Sequence, residues 1–285
     1  MLLASVQTGR ASHLENLMTS EEQLNRYTVA QQITKEAGEL ALGYFRRFDS
    51  LRTEIKGHQD FVSEADKNVE AFVRNALTKA FPEDGIVGEE DEPKSGESEF
   101  TWVIDPIDGT TNFIHGIPAW TVVLAGVRRE NVEIGIVNDP VHDELYHCSR
   151  GGGAYCNSQK ISVLSGRDLG NGSVGVGFSG RTSSLGIRNL IDEIMDAGGV
   201  FYRNGSGALS LTFVASGKLL GYVEQHMNAW DCLAGQLLVA EAGGVIEQQD
   251  AAKMIADGGR VIVGIPEVFD ELLEIAERSY APRPG

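Results

Sequence analysis

The residues best suited to chemistry lie in the segment Trp102-Val-Ile-Asp105-Pro-Ile-Asp108-Gly-Thr-Thr-Asn112. An apolar strand delivers Asp105 at its end, Pro106 removes a ladder donor, and Asp108-Gly-Thr-Thr forms a turn able to open a helix. Two carboxylates on so tight a turn can face one point, and hard oxygen ligands at such a point select Mg2+ or Mn2+. The backbone N–H groups of Gly109 and Thr110, at the start of that helix, offer a seat for phosphate. Upstream, Gly88-Glu89-Glu90 closes an apolar strand, and downstream Trp230-Asp231 opens a helix, so Glu89 and Asp231 can be aimed at the same place. Each has a plainer reading by itself: Asp-Gly is a common turn, Glu89 suits a solvated acidic loop, and Asp231 suits a helix cap. Their joint occurrence is what favours a metal centre.

Secondary-structure elements must hold these residues in place. From Glu21 to Phe48 the apolar positions Leu24, Tyr27, Ile33, Ala37, Leu40 and Phe45 recur at helical spacing, and a second helix is predicted from Ser63 to Phe81. Between them EIKGHQD, at 54–60, predicts a loop or short hairpin. Apolar runs predict strands at 85–88, 100–104, 119–127, 132–137, 144–147 and 161–164, a meander broken by Gly151-Gly-Gly153. From about Ser165 the texture alternates: strand 173–178, helix 185–197, strand 200–202, helix 207–216, strand 219–224, helix 230–242. That alternation predicts an α/β protein. Its α+β N-terminal half, 19–165, carries the metal and phosphate loop, and its α/β C-terminal half, 166–285, completes the site. Thr19-Ser20-Glu21 reads as a helix start, leaving residues 1–18 as an N-terminal extension.

Composition narrows the partners. The chain of 285 residues has 24 Lys+Arg against 41 Asp+Glu, a formal net charge of -17. Such a surface repels phosphate backbones and anionic lipid headgroups, and no segregated basic patch offsets it, so neither nucleic acid nor a membrane is expected as a partner. Hydrophobic residues at 42% and charged residues at 23% are the proportions of a globular chain able to bury a core. Cys148, Cys156 and Cys232 form neither a disulfide framework nor a CxxC pair, which fits a reducing compartment. No secretory signal and no run near the roughly 18 apolar residues of a membrane span are visible, so a cytoplasmic protein is expected. Gly175-Val-Gly177 and Asn204-Gly-Ser-Gly207 lack a P-loop lysine and Rossmann spacing, so they do not indicate nucleotide binding. His115 reads as a loop histidine.

Trp102–Phe113 and Trp230-Asp-Cys-Leu-Ala-Gly235 resemble the two signature segments of the inositol monophosphatase family, and the resemblance extends from about residue 20 to 278. Asp60-Phe-Val-Ser-Glu-Ala-Asp66, Gly88-Glu-Glu90, Arg150-Gly-Gly-Gly-Ala-Tyr-Cys-Asn157 and Glu224 occur in family order. The resemblance implies a Mg2+-dependent, lithium-sensitive phosphomonoesterase, homodimeric, folded as a layered αβαβα sandwich, with two or three ions per site and Mn2+ as an alternative. It implies that Glu89, Asp105 and the Ile107 carbonyl hold one ion, that Asp105, Asp108 and Asp231 hold a second, and that a third leans on Glu89 and water. Asp66 and Thr110 would orient the attacking water and, with Glu89, form the catalytic set. Asp108, Gly109, Thr110, Ser206, Gly207 and Glu224 would bind substrate, the last three facing its alcohol. The expected reaction is hydrolysis of a small phosphorylated polyol, foremost myo-inositol 1-phosphate, by metal-activated water with no covalent phosphoenzyme. Histidinol phosphate, fructose 1,6-bisphosphate and 3'-phosphoadenosine 5'-phosphate are the competing substrates, and a non-catalytic regulatory binding role is the competing function.

Overall fold

The structure is a computed structural model that describes residues 20–50, 53–57 and 60–281; the extension expected at residues 1–18 and the cap at Thr19 lie outside the described residues. Helix α1 (Ser20–Phe45) and a 3-10 turn at Phe48–Ser50 lead to the antiparallel hairpin β1 (Thr53–Gly57) and β2 (Asp60–Ser63), then to α2 (Glu64–Ala80). Ser63 starts α2 with a capping box: its hydroxyl accepts the Ala65 N–H, and Asp66 accepts the Ser63 N–H.

A seven-stranded sheet follows, in the order β3-β4-β5-β6-β7-β8-β9. Strand β3 (Gly85–Gly88) is parallel to β4 (Phe100–Asp108), and short helix α3 (Thr110–Ile114) lies beyond β4. Strands β5 (Thr121–Arg128), β6 (Asn131–Asp139), β7 (Glu144–Ser149), β8 (Gly153–Cys156) and β9 (Gln159–Lys160) continue antiparallel. The remaining chain provides β10 (Ser173–Val176), α4 (Ser184–Asp196), β11 (Val200–Tyr202), α5 (Gly207–Ala215), β12 (Gly221–Met227), α6 (Ala229–Glu241), β13 (Val245–Ile246), α7 (Ala251–Asp257), β14 (Gly259–Gly264) and α8 (Phe269–Tyr280). Its strands form a five-stranded sheet in the order β11-β10-β12-β14-β13.

Side-chain alternation sets the layers, because successive residues of a strand face opposite sides of its sheet. On β4, Trp102 and Ile104 pack with Ala37, Val69 and Leu77 of α1 and α2, whereas Val103 packs with Leu211, Leu233 and Ala234 of α5 and α6. On the second sheet Tyr222 and Val263 face the same α5/α6 layer, and Val223 and Ile262 face Leu190, Ile194, Leu272 and Ile275 of α4 and α8. Helix, sheet, helix, sheet, helix is the αβαβα sandwich. Helices α5 and α6 are apolar nearly all round because a sheet covers each side of them.

The expected strand at 161–164 does not form. The chain turns at Asn157-Ser158, with Asn157 at φ +53°, and β8 pairs with β9 across that turn. Beyond it the Ile161 N–H bonds the Ala154 carbonyl and the Val163 N–H bonds the Ala242 carbonyl. The run therefore crosses from one layer to the next without a continuous ladder. The first helix also ends at Phe45 rather than Phe48, and the described residues on either side of 58–59 pair as the antiparallel strands β1 and β2.

Candidate active site

Asp105 and Asp108 leave β4 at a break in register. Asp105 pairs with Val123 and Asp108 with Thr121, so three steps on β4 oppose two on β5, a bulge that releases Pro106 and Ile107 from the ladder. The Ile107 N–H donates to Asp105 Oδ1 at 3.0 Å. Gly109, at φ +97°, then turns the chain into α3. A Cβ there would stand 2.9 Å from the Ala119 carbonyl oxygen, so both dihedral and space require glycine.

Two longer helix starts complete the cluster. Asp231, in the first turn of α6, accepts the Asn228 N–H at 3.1 Å. Asp108 accepts the N–H groups of Ala208 (2.9 Å) and Gly207 (3.2 Å) and the Ser206 hydroxyl, all at the start of α5. Carboxylate oxygens of Asp105, Asp108 and Asp231 lie within 4.8 Å of one another. Glu89 is not one of these three, yet it follows Gly88, which pairs with Ile104, so Glu89 and Asp105 leave neighbouring parallel strands side by side.

The cluster is electrostatically unfavourable on its own. Burial, then the charges of Glu89, Asp108 and Asp231, push the Asp105 carboxyl well above its usual range. Burial and Asp231 raise Asp108 against its hydrogen bonds, and burial raises Asp231. Buried oxygens whose charges repel one another are a donor set that fits a hard divalent cation, Mg2+ or Mn2+.

Asp66 and Thr110 meet beside the cluster. Asp66 is buried and accepts the Ser63 N–H (2.8 Å), the Ser63 hydroxyl (2.6 Å) and the Thr110 hydroxyl (3.1 Å). Burial still raises its carboxyl. The Thr110 hydroxyl also lies 3.0 Å from the Ile107 carbonyl oxygen. One hydroxyl proton serves one acceptor at a time, so when Thr110 donates to Asp66 the Ile107 carbonyl is left free.

A cavity of about 140 Å3 adjoins the carboxylates and is lined by Asp108, Ser206, Gly207, Glu224 and Asp231. Ser206 and Gly207, expected to face an alcohol, line this cavity but direct their hydroxyl and N–H at Asp108. Glu224 accepts the Tyr222 hydroxyl at 2.6 Å, and burial pushes its carboxyl up to about 7. Sequence reasoning missed Tyr222 and Arg203, which also line the cavity. Tyr222 was legible in principle: two residues before Glu224 on one strand, it shares that residue's face. Arg203 donates to the Phe178 carbonyl at 3.2 Å, and its charge opposes the rise at Glu224. His115 is an exposed residue closing α3.

Known proteins resemble this chain in both sequence and fold. The sequence model of the inositol monophosphatase family matches residues 22–280. An inositol-1-monophosphatase of Mesorhizobium japonicum is 36% identical over 262 residues, covering 90% of this chain and 97% of its own. A Nus factor SuhB of Pasteurella multocida is 36% identical over 253 residues, covering 86% of this chain and 93% of its own. Among solved structures, the extragenic suppressor protein SuhB of Bartonella henselae superposes with a TM-score of 0.83 at 30% identity, covering 88% of this chain and 98% of that one.

Proposed function

The chain belongs to the inositol monophosphatase family, and from that premise we propose that it is a Mg2+-dependent phosphomonoesterase acting on a small phosphorylated polyol, foremost myo-inositol 1-phosphate. The observation that carries the reading is the convergence of Asp105, Asp108 and Asp231 within 4.8 Å, next to a cavity walled by Glu224. Glu89, Asp105 and the Ile107 carbonyl are assigned to one ion and Asp105, Asp108 and Asp231 to a second, with Mn2+ as an alternative. Bound there, such ions relieve the repulsion between a phosphate ester and its nucleophile and acidify water.

The chain's own groups do the positioning. Thr110, donating to Asp66, keeps its oxygen able to accept a hydrogen bond from the attacking water. The N–H groups of Gly109 and Thr110 seat phosphate oxygens. Glu224, steadied by Tyr222, receives hydroxyls of the leaving alcohol. No serine, cysteine or histidine nucleophile is called for, so no phosphoenzyme forms. In this reading residues 19–165 supply the metal and phosphate loop, residues 166–285 complete the site, and the working unit is a cytoplasmic homodimer.

Phosphate release from myo-inositol 1-phosphate, histidinol phosphate, fructose 1,6-bisphosphate and 3'-phosphoadenosine 5'-phosphate, with Mg2+ and with a chelator, tests the reading. The highest kcat/KM on the inositol ester and loss of activity on chelation are expected. Turnover in chelator, or none on any ester, overturns it. The name Nus factor on the Pasteurella relative favours a second reading, a protein-binding role. Asp105→Asn separates the two, because it removes hydrolysis while leaving a binding role intact in cells.

A further inference from the structure

Glu89, Glu90, Asp91 and Glu92 follow β3 as consecutive acids, a run whose charges favour separation and solvent. Its backbone is nevertheless fixed from beneath by α2. Glu70 is fully buried, and its Oε2 accepts the Glu90 N–H at 2.8 Å. Its Oε1 accepts the Asp91 N–H at 3.1 Å and the Arg74 Nε–H at 2.7 Å. The terminal nitrogens of Arg74 donate in turn to the carbonyls of Asp91 (2.8 Å) and Glu92 (3.1 Å). Gly88 leaves room for this clamp, since a Cβ there would fall 2.3 Å from Glu70 Oε1.

Glu89 is thereby pinned on both flanks. The residue before it pairs with Ile104, next to Asp105, and the N–H of the residue after it is bound to Glu70. Asp66, one turn earlier on the same helix, holds Thr110. Burying a carboxylate is unfavourable unless its hydrogen bonds are met, and closing a surface loop does not require one. We propose that Glu70, backed by Arg74, is a positioning residue that sets Glu89 at the metal centre. The inference rests on the reading of Glu89 as a metal ligand.

Calorimetric titration with Mn2+, without substrate, of the wild type, E89Q, E70Q and R74Q tests it. Groups that hold a metal ligand change metal affinity by about 10- to 100-fold when removed. E70Q is therefore expected to bind Mn2+ about tenfold more weakly than the wild type, with phosphatase kcat recovered at raised Mg2+. Wild-type affinity in a folded E70Q overturns the proposal even if its Tm falls, because loop closure alone lowers Tm without touching the metal. Should E70Q fail to fold, R74Q, which keeps the Glu70 carboxylate, is read by the same criterion. A wild type that takes up no Mn2+, or E89Q binding as the wild type does, overturns the ligand reading itself and the positioning role with it.

Discussion

Single residues at the centre divide into carboxylates that face one another and neutral groups that hold them. Ser206 belongs to the second kind: its hydroxyl donates its one proton to Asp108 and accepts the Leu209 N–H, so it has no proton left to give a substrate. Its removal takes away a donor that favours charged Asp108. Ser206→Ala is expected to weaken Mg2+ binding by about tenfold and leave the KM for the phosphate ester unchanged. A raised KM with unaltered metal affinity would put Ser206 on the substrate instead. Asp105→Asn acts in the opposite sense on stability, because Glu89, Asp108 and Asp231 all repel the charge it removes. The metal-free variant should melt above the metal-free wild type and gain little from Mg2+; a lower metal-free Tm would contradict the repulsion. Asp105, Asp108 and Asp231 were readable in the sequence because each sits at a strand end or helix start whose local pattern announces it. Glu70 was not, since its meaning lies in backbone groups 20 residues away, and its own helix needs only that it fit the α2 face.

Elements bring the two helix starts together. Asp108 is held at the start of α5 and Asp231 at the start of α6, so their separation is set by how closely those helices pack. Gly235 permits that approach: a Cβ there would stand 2.6 Å from Leu211 Cβ. Gly135, on β6, does the same for the sheet above, where a Cβ would meet the Ala234 carbonyl oxygen at 2.6 Å. Gly235→Val should destabilise the protein by ~1–3 kcal/mol through overpacking. It should also weaken Mg2+ binding, as the helix starts part. Gly43→Ala is the control, being exposed in α1 with nothing near its missing Cβ. It should stabilise by ~1 kcal/mol and leave metal binding alone. Equal metal affinity in the wild type and Gly235→Val would show that this crossing does not set the site. Helical periodicity marks α1 and α2, whereas α4, α5 and α6 are legible only from the alternation of helix and strand, and α5 and α6 have no wet face that would show a period. The run 161–164 has the composition of a strand, but its N–H groups bond Ala154 on one side and Ala242 on another instead of one continuous partner, information that only the packed layers contain.

Across the whole molecule, the charge of -17 is of two kinds that respond differently to pH and salt. Most acids are solvated, but Asp105, Asp108, Asp231 and Glu224 are drawn into one water-poor region where each carboxyl is raised above its usual range. For Glu224 the rise is from 4.5 to about 7. Between those values the folded protein keeps a proton that the unfolded chain has released. Its contribution to stability is therefore complete below about 4.5 and is lost as pH climbs through about 7. The metal-free protein should melt higher at about pH 5.5 than at about pH 8. Repulsion among surface acids has the same sign, but it is screened within a Debye length of about 3 Å in 1 M salt, where buried pairs are screened far less. The pH dependence that survives in high salt is then the part belonging to the site. A divalent cation competes with protons for the same oxygens, so Mg2+ should raise Tm by several degrees at the higher pH and by little at the lower. Differential scanning calorimetry with chelator or Mg2+, at both pH values and in high salt, measures this directly. An Mg2+ shift equal at both pH values would mean that the buried carboxylates are not where the cation binds, and a metal-free Tm that rises with pH would contradict the raised carboxyls.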